Sequence, residues 1–203
     1  LRRQGAAVQG VAEIHDTARL TGRAFFEVYA KPGDRILDVG SLDVNGTLKP
    51  FVPVGCHYAG VDRAAGPNVD IVLDDPYRLP FRDEFDLAVS TSCFEHAEFF
   101  WLVFAEMARV VRSGGFLYIS APTGGVVHRH PVDCWRFYPD AGMALQHWAE
   151  RAGSSVTLIE SFVLPPGGEG WSDFVAVWQR DPAERWAGPR IADRFPGAVH
   201  RRP

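Results

Sequence analysis

The sequence predicts an α/β domain built on a mostly parallel sheet. Short apolar runs rich in Val, Ile, Leu and Phe alternate with segments of helical apolar spacing, and several of the runs end in an acidic residue beside a turn. The 203 residues, 46% of them apolar, suffice for one compact domain with a full core and exclude a disordered or fibrous chain.

Residues 1–31 form a helical preface: Val8, Val11, Ile14, Ala18, Leu20, Phe25, Phe26 and Tyr29 fit helical spacing in two pieces, with a break at Thr21-Gly22. After the turn Pro32-Gly33-Asp34, Arg35-Ile36-Leu37-Asp38-Val39-Gly40 reads as the first strand. Residues 57–61 form the second, ending at Asp62, and residues 69–73 the third, ending at Asp74-Asp75. The link from Asp62 to Asn68 is shorter than the dozen or so residues of a helical crossover, so it is a loop. One flank of the sheet is therefore expected to be under-covered, with the N-terminal helices or the C-terminal tail as candidates to cover it.

Residues 85–90 form the fourth strand. A helix follows over about 95–112, its stripe Phe99, Leu102, Val103, Met107, Val110 and Val111, stopped by Ser113-Gly114-Gly115, with Arg109 and Arg112 in the last turn. Residues 116–121 are the fifth strand, and residues 140–152 a helix capped by Asp140 and stopped by Gly153. Residues 156–163 and 174–179, around the turn-rich Pro165-Pro166-Gly167-Gly168-Glu169-Gly170, make an antiparallel hairpin on the sheet edge. The main domain spans 32–180, and the Arg- and Pro-containing tail 181–203 is expected to be irregular.

A formal charge of -4 and a pI of about 6.0 leave no electrostatic footprint for nucleic acid or an anionic membrane. A small-molecule partner is expected, and a homodimer is allowed. Cys56, Cys93 and Cys134 have no paired spacing, which points to a reducing compartment. No apolar run reaches the ~20 residues of a membrane span, and Leu1-Arg2-Arg3-Gln4-Gly5 leads into no signal core, so the expected location is cytoplasmic.

In an open parallel sheet, ligands bind beyond the carboxyl ends of the strands where strand order reverses. Asp38, Asp62, Asp75 and Glu95-His96 collect there. The loop Gly40-Ser41-Leu42-Asp43-Val44-Asn45-Gly46 matches neither Gly-x-Gly-x-x-Gly nor a P-loop. Its Asp43 would repel a pyrophosphate yet suit an ammonium or sulfonium ligand, which disfavours NAD and ATP.

Five segments in order, Ile36-Leu37-Asp38-Val39-Gly40, Gly60-Val61-Asp62, Asp75-Pro76-Tyr77-Arg78-Leu79-Pro80-Phe81, Phe85-Asp86-Leu87-Ala88-Val89-Ser90 with Phe94-Glu95-His96, and Arg109-Val110-Val111-Arg112-Ser113-Gly114-Gly115-Phe116, resemble the motifs of class I S-adenosylmethionine-dependent methyltransferases of the type 11 group. The resemblance covers roughly residues 32–180. It implies a Rossmann-like seven-stranded sheet of order 3-2-1-4-5-7-6, strand seven antiparallel, with helices on both faces. S-adenosylmethionine would lie across the ends of strands one to four. By the same resemblance Asp38 and Gly40 shape the loop around the methionine part, Asp62 holds the ribose and Asp75 faces the adenine; Ser41, Asp43, Arg63, Ser92 and Glu95, read from their places beside these, complete the expected cofactor set. Leu42 and Val44 replace two family glycines, and Pro76 has no N–H to offer the ring. Simpler roles compete: Asp75 as a turn cap, Glu95 as a first-turn helix acid, Cys93 as a small buried residue.

Methyl transfer to a hydroxyl needs a proton acceptor, and histidine, with an unperturbed pKa of ~6.5, suits that task. The segment His128-Arg129-His130-Pro131-Val132-Asp133-Cys134-Trp135-Arg136-Phe137-Tyr138 follows Pro122-Thr123-Gly124-Gly125, a flexible stretch suited to a lid. As an acceptor site, His128 or His130 is the base, Asp133 orients it, and His96, Trp135, Arg136 and Tyr138 bind the acceptor. As a structural loop, Asp133 pairs with Arg129 or Arg136 while Trp135 and Phe137 plug the core. As a metal site, His128, His130, Asp133 and Cys134 bind zinc or magnesium; the His-x-His spacing is unusual for zinc, and no metal is expected. The sequence thus predicts O-methylation of a small molecule or saccharide. A non-catalytic cofactor-binding or interaction domain and a Rossmann oxidoreductase are the competitors.

Overall fold

The computed structural model describes residues 16–44, 46–165 and 171–203. The expectations placed on Val8, Val11, Ile14, Asn45 and residues 166–170 lie outside the described residues. α1 (Asp16–Tyr29) leads into β1 (Arg35–Val39), β2 (His57–Asp62), β3 (Ile71–Val72) and β4 (Phe85–Thr91). Then follow α2 (Phe100–Val110), β5 (Val111–Pro122), α3 (Ala141–Arg151), β6 (Val156–Leu164), β7 (Asp173–Arg180) and β8 (Val199–Arg202). The sheet runs β3-β2-β1-β4-β5-β7-β6-β8, parallel from β3 to β5 and antiparallel from β5 to β8. Strand order reverses at β1, which pairs with β2 on one side and β4 on the other. The ends of β1 and β4 therefore open a crevice there.

Because successive strand residues face opposite ways, the buried runs feed two cores. Leu37, Val39, Ala88, Leu117 and Ile119 pack with Phe104 and Met107 of α2 and Leu145 of α3. Ile36, Leu87, Val89, Phe116 and Tyr118 pack with Phe25, Phe26 and Tyr29 of α1 and Ile191 of the tail. The flank expected to be under-covered is thus closed by both candidates. Among the described residues, no helix is long and apolar enough to cross a membrane.

Several expectations are corrected. The tail, expected to be irregular, includes two ordered pieces, a 3-10 turn, Ile191–Arg194, and β8, which is an eighth strand of the sheet among the described residues. Buried Glu160 accepts from the Tyr29 hydroxyl (2.7 Å) and the Ile191 and Ala192 N–H groups (2.8 and 2.9 Å), tying the tail to α1 and β6. α1 runs unbroken through Thr21-Gly22: the Thr21 hydroxyl donates back to Thr17 O and meets the Tyr118 hydroxyl at 2.9 Å. A Cβ on Gly22 would lie 2.4 Å from Leu48 Cδ2, so that glycine serves close packing. β3 is shorter than 69–73 because Asn68, at φ 68, ties the preceding loop to Ser41 O and the Tyr58 hydroxyl.

The helix expected over 95–112 is instead a 3-10 turn, Phe94–His96, followed by the shorter α2. Val111 already pairs with Phe85, so Ser113-Gly114-Gly115 lies within β5. Arg112 pairs with Asp86 rather than with the helix dipole, and Arg109 donates to Glu106 and to the Leu79 and Phe81 carbonyls. Asp140 sits at the N-cap position but makes no cap bond; its carboxylate accepts from Arg202 Nε at 3.0 Å.

Candidate cofactor and acceptor site

At the crevice lies a cavity of about 350 Å³, within the ~300–1,000 Å³ of small-molecule sites. It is lined by Asp38, Gly40, Ser41, Leu42 and Thr47 from the β1 end and the loop after it, by Thr91 at the end of β4 with Ser92 and His96 just beyond, and by Val126, His128, His130 and Trp171 from the segments after β5 and before β7. Gly40 has φ +80, and a Cβ on it would lie 2.4 Å from Cys93 Sγ, so both backbone shape and space require glycine.

Asp38 is 5% exposed. The Tyr58 hydroxyl donates to it at 2.5 Å, and the Asn68 amide donates to that hydroxyl at 2.7 Å. Burial pushes the Asp38 carboxyl up to about 6, against the Tyr58 bond, and the nearby Asp62 adds to the rise. Tyr58 escaped the sequence reading, although it stands directly opposite Ile36 in the β1–β2 register. Asp62 shapes the loop: it accepts from the Leu42 N–H at 3.2 Å and the Ala64 N–H at 2.9 Å. The loop closes on itself further, with Asp43 accepting from the Gly46 N–H and the Ser41 hydroxyl donating to Asn68 O.

Not all the predicted cofactor residues meet there. Asp62, Arg63 and Asp75 are absent from the cavity lining. Asp75 is exposed and accepts from the Tyr77 N–H at 2.9 Å, the turn-cap role. Cys93 is an inert packing residue, its thiol pushed up to about 12 by burial. Glu95, assigned to the cofactor, instead stands beside His96 and His128.

His96 donates through Nδ1 to Val132 O at 2.5 Å, and its Nε2 lies 3.7 Å from Glu95 Oε1. His128 Nε2 lies 4.0 Å from the same oxygen, and its Nδ1 lies 3.4 Å from Asp133 Oδ2. The His96 and His128 rings cross edge-to-face, centroids 4.9 Å apart. Burial pushes the Glu95 carboxyl up to about 8 and holds the His96 imidazole below its ordinary value. Two bonds from the Arg136 guanidinium, 2.5 and 2.8 Å, hold the Asp133 carboxyl well below the usual range. The His128 N–H adds a third bond at 2.8 Å.

His96, His128 and His130 all line the cavity, and Asp133 sits beside the His128 ring. Arg136 is committed to Asp133 and to the Trp135 and Val126 carbonyls, as in the structural-loop reading. Phe137 is in the core, but Trp135 is 37% exposed and donates to Ala97 O. Tyr138 is 66% exposed and lies off the lining. Thr91, Val126 and Trp171 were missed; they carry no local motif, and only the folded chain brings them to the cavity.

A family model described as a methyltransferase domain matches residues 37–119, from β1 into β5. No curated protein matches the chain. Among solved structures, the Burkholderia thailandensis 1,6-didemethyltoxoflavin N1-methyltransferase, with 1,6-didemethyltoxoflavin and S-adenosylhomocysteine bound, is 18% identical with a TM-score of 0.60, over 81% of this chain and 77% of that one. A SAM-dependent methyltransferase from Aquifex aeolicus is 16% identical with a TM-score of 0.55, over 82% and 90%. The [4+2]-cyclase SpnF is 13% identical with a TM-score of 0.59, over 82% of each. The resemblance read from the sequence thus holds: residues 37–119 match a methyltransferase domain, and they sit in the fold of class I methyltransferases, whose cofactor is S-adenosylmethionine.

Proposed function

We propose that this chain transfers a methyl group from S-adenosylmethionine to an oxygen of a small-molecule or saccharide acceptor. The observation that carries the reading is Asp38: a buried carboxylate on the cavity wall, held by one hydroxyl, on a rim next to Asp62. A cationic ligand is what such a wall favours, and a dinucleotide pyrophosphate is what it opposes. The cofactor, when bound, supplies a methyl group made electrophilic by its sulfonium, which leaves as a neutral thioether. Asp38, Gly40 and Ser41 would hold its methionine part and Asp62 its ribose. The chain's own work is alignment and exclusion of water.

His130, exposed on the cavity lining, would take the proton of an acceptor hydroxyl. Asp133 is a positioning residue that fixes the His128 segment. The three cysteines carry no disulfide, which supports a reducing, cytoplasmic setting. The second reading, a non-methylating protein on this fold, is favoured by the side chains Leu42 and Val44 in a loop whose amides bond to its own neighbours. Incubation with labelled S-adenosylmethionine and a panel of phenols, hydroxylated metabolites and sugars tests the choice. Label transfer to an acceptor hydroxyl is expected, and cofactor binding without transfer to any acceptor favours the second reading.

A further inference from the structure

Two imidazoles and a carboxyl that can each offer a lone pair to a cation meet beside the cavity. Val132 O takes the proton on His96 Nδ1, since a carbonyl has none to give, so His96 Nε2 carries a lone pair. The neighbours of His128 Nδ1 are the Val126 carbonyl and the Asp133 carboxylate, both at 3.4 Å and both acceptors, which leaves the lone pair on its Nε2 as well. Both lone pairs approach Glu95 Oε1, at 3.7 and 4.0 Å, and the three ligand atoms lie within 4.8 Å of one another. Glu95 is 1% exposed, and its other oxygen, Oε2, is buried without a hydrogen-bond partner. The Arg136 guanidinium is already shared among Asp133, Trp135 O and Val126 O. Lone pairs so gathered repel one another unless a proton or a metal cation lies among them.

We infer that Glu95, His96 and His128 form a binding site for a divalent first-row transition metal ion, with zinc the ion that best fits two imidazoles and a carboxylate. Zinc ligands ~2.0–2.1 Å from the ion stand ~3.3 Å apart in a tetrahedron, so the two contacts to Glu95 Oε1, at 3.7 and 4.0 Å, need to close by about 0.4 and 0.7 Å. The Val132 carbonyl and Asp133 orient the two rings from behind, as outer-shell partners do in metal sites. This set differs from the one read in the sequence. Asp133 faces the Nδ1 side of His128 and pairs with Arg136, whereas Glu95 and His96 come from the 3-10 turn after β4.

Glu95 lies behind the two rings, and both rings line the cavity, so the ion's remaining position faces the acceptor space. There it would draw an acceptor oxygen to itself and ease loss of its proton to His130, which stays outside the ligand set. That role rests on the methyltransferase reading; the site itself does not.

The test uses the tag-free full chain, freed of metal by chelator dialysis and titrated with Co²⁺ under visible spectroscopy, then with Zn²⁺ as competitor. Expected is an absorption band that saturates at one Co²⁺ per chain and is displaced by Zn²⁺. His96→Ala and His128→Ala should weaken binding ~100-fold or more, Asp133→Asn ~10–100-fold, and His130→Ala should leave it intact. Glu95→Gln, which keeps the side chain's shape, is the variant to trust if an alanine variant fails to fold. A folded wild-type chain with no band, meaning that a proton alone bridges these groups, would overturn the site. So would an unchanged band in the folded His96→Ala/His128→Ala double variant. S-adenosylhomocysteine binding, measured by calorimetry on the same samples, keeps failure of the metal site distinct from failure of the cofactor reading.

Discussion

Replacing Asp38 with Asn should stabilise the empty protein and weaken its hold on the cofactor. The carboxyl titrates near 6 in the folded chain, against an unperturbed ~3.9, because it is buried. Between those values the unfolded chain is ionised while the native one keeps its proton, so unfolding releases a proton and stability falls as pH rises. Above about 6 the loss is complete. Two pKa units at 1.36 kcal/mol each set a ceiling of about 3 kcal/mol. Because Asp38 is only 5% exposed, solvent screening removes little of this. Asparagine keeps an oxygen for the Tyr58 hydroxyl but leaves its amide to find an acceptor, so a gain of about 1–3 kcal/mol is expected at pH 7.5. For a domain of this size that raises the melting midpoint by ~2–12 °C. Scanning calorimetry of both proteins from pH 4 to 8 gives the comparison. The midpoint difference should be small near pH 4, grow up to about pH 6 and then level off. A difference independent of pH, or an Asp38→Asn protein that melts lower at every pH, would refute the claim that this charge is uncompensated. Cofactor affinity should move the opposite way, the signature of a residue kept for function against stability.

Asp62→Ala should weaken S-adenosylhomocysteine binding by about 1.5–3 kcal/mol, roughly 10- to 150-fold in Kd, because a charge-assisted bond to the ribose is lost; an unchanged Kd in calorimetry counts against its role. Glu160→Ala leaves the Tyr29 hydroxyl and the Ile191 and Ala192 N–H groups without their acceptor. A loss of about 3–5 kcal/mol is expected in urea unfolding, and an unmoved midpoint would show that the tail does not seal the α1 face. His130→Ala should spare cofactor affinity and lower turnover; equal turnover from pH 6 to 9 returns His130 to a structural role.

The parallel half of the fold was legible because its signals are local. Apolar runs such as residues 35–39 and 85–91, each carrying a polar residue at or next to its end before the chain turns, state the strands and the rim together. The limits of local signals show at Thr21-Gly22, where a nominal helix breaker is a contact surface for Leu48. They show again at β8, whose Arg-rich sequence pairs with β6 only because β6 offers it an edge. Within the site, Asp38 and Gly40 stand out in any strand-to-loop motif. The meeting of Glu95-His96 with His128 does not, because the turn after β4 and the β5–α3 connection meet only in three dimensions. Asp133 and Arg136, close in sequence, pair through two guanidinium bonds, one of the pairings that the structural-loop reading named.

The most direct test of the account is a pair of calorimetric titrations of the intact chain, one with S-adenosylhomocysteine and one with NAD. A single saturable S-adenosylhomocysteine site, weakened in Asp62→Ala, with no heat from NAD, is the predicted result. Saturable NAD binding, or a folded chain that takes up no S-adenosylhomocysteine at millimolar concentration, would contradict it.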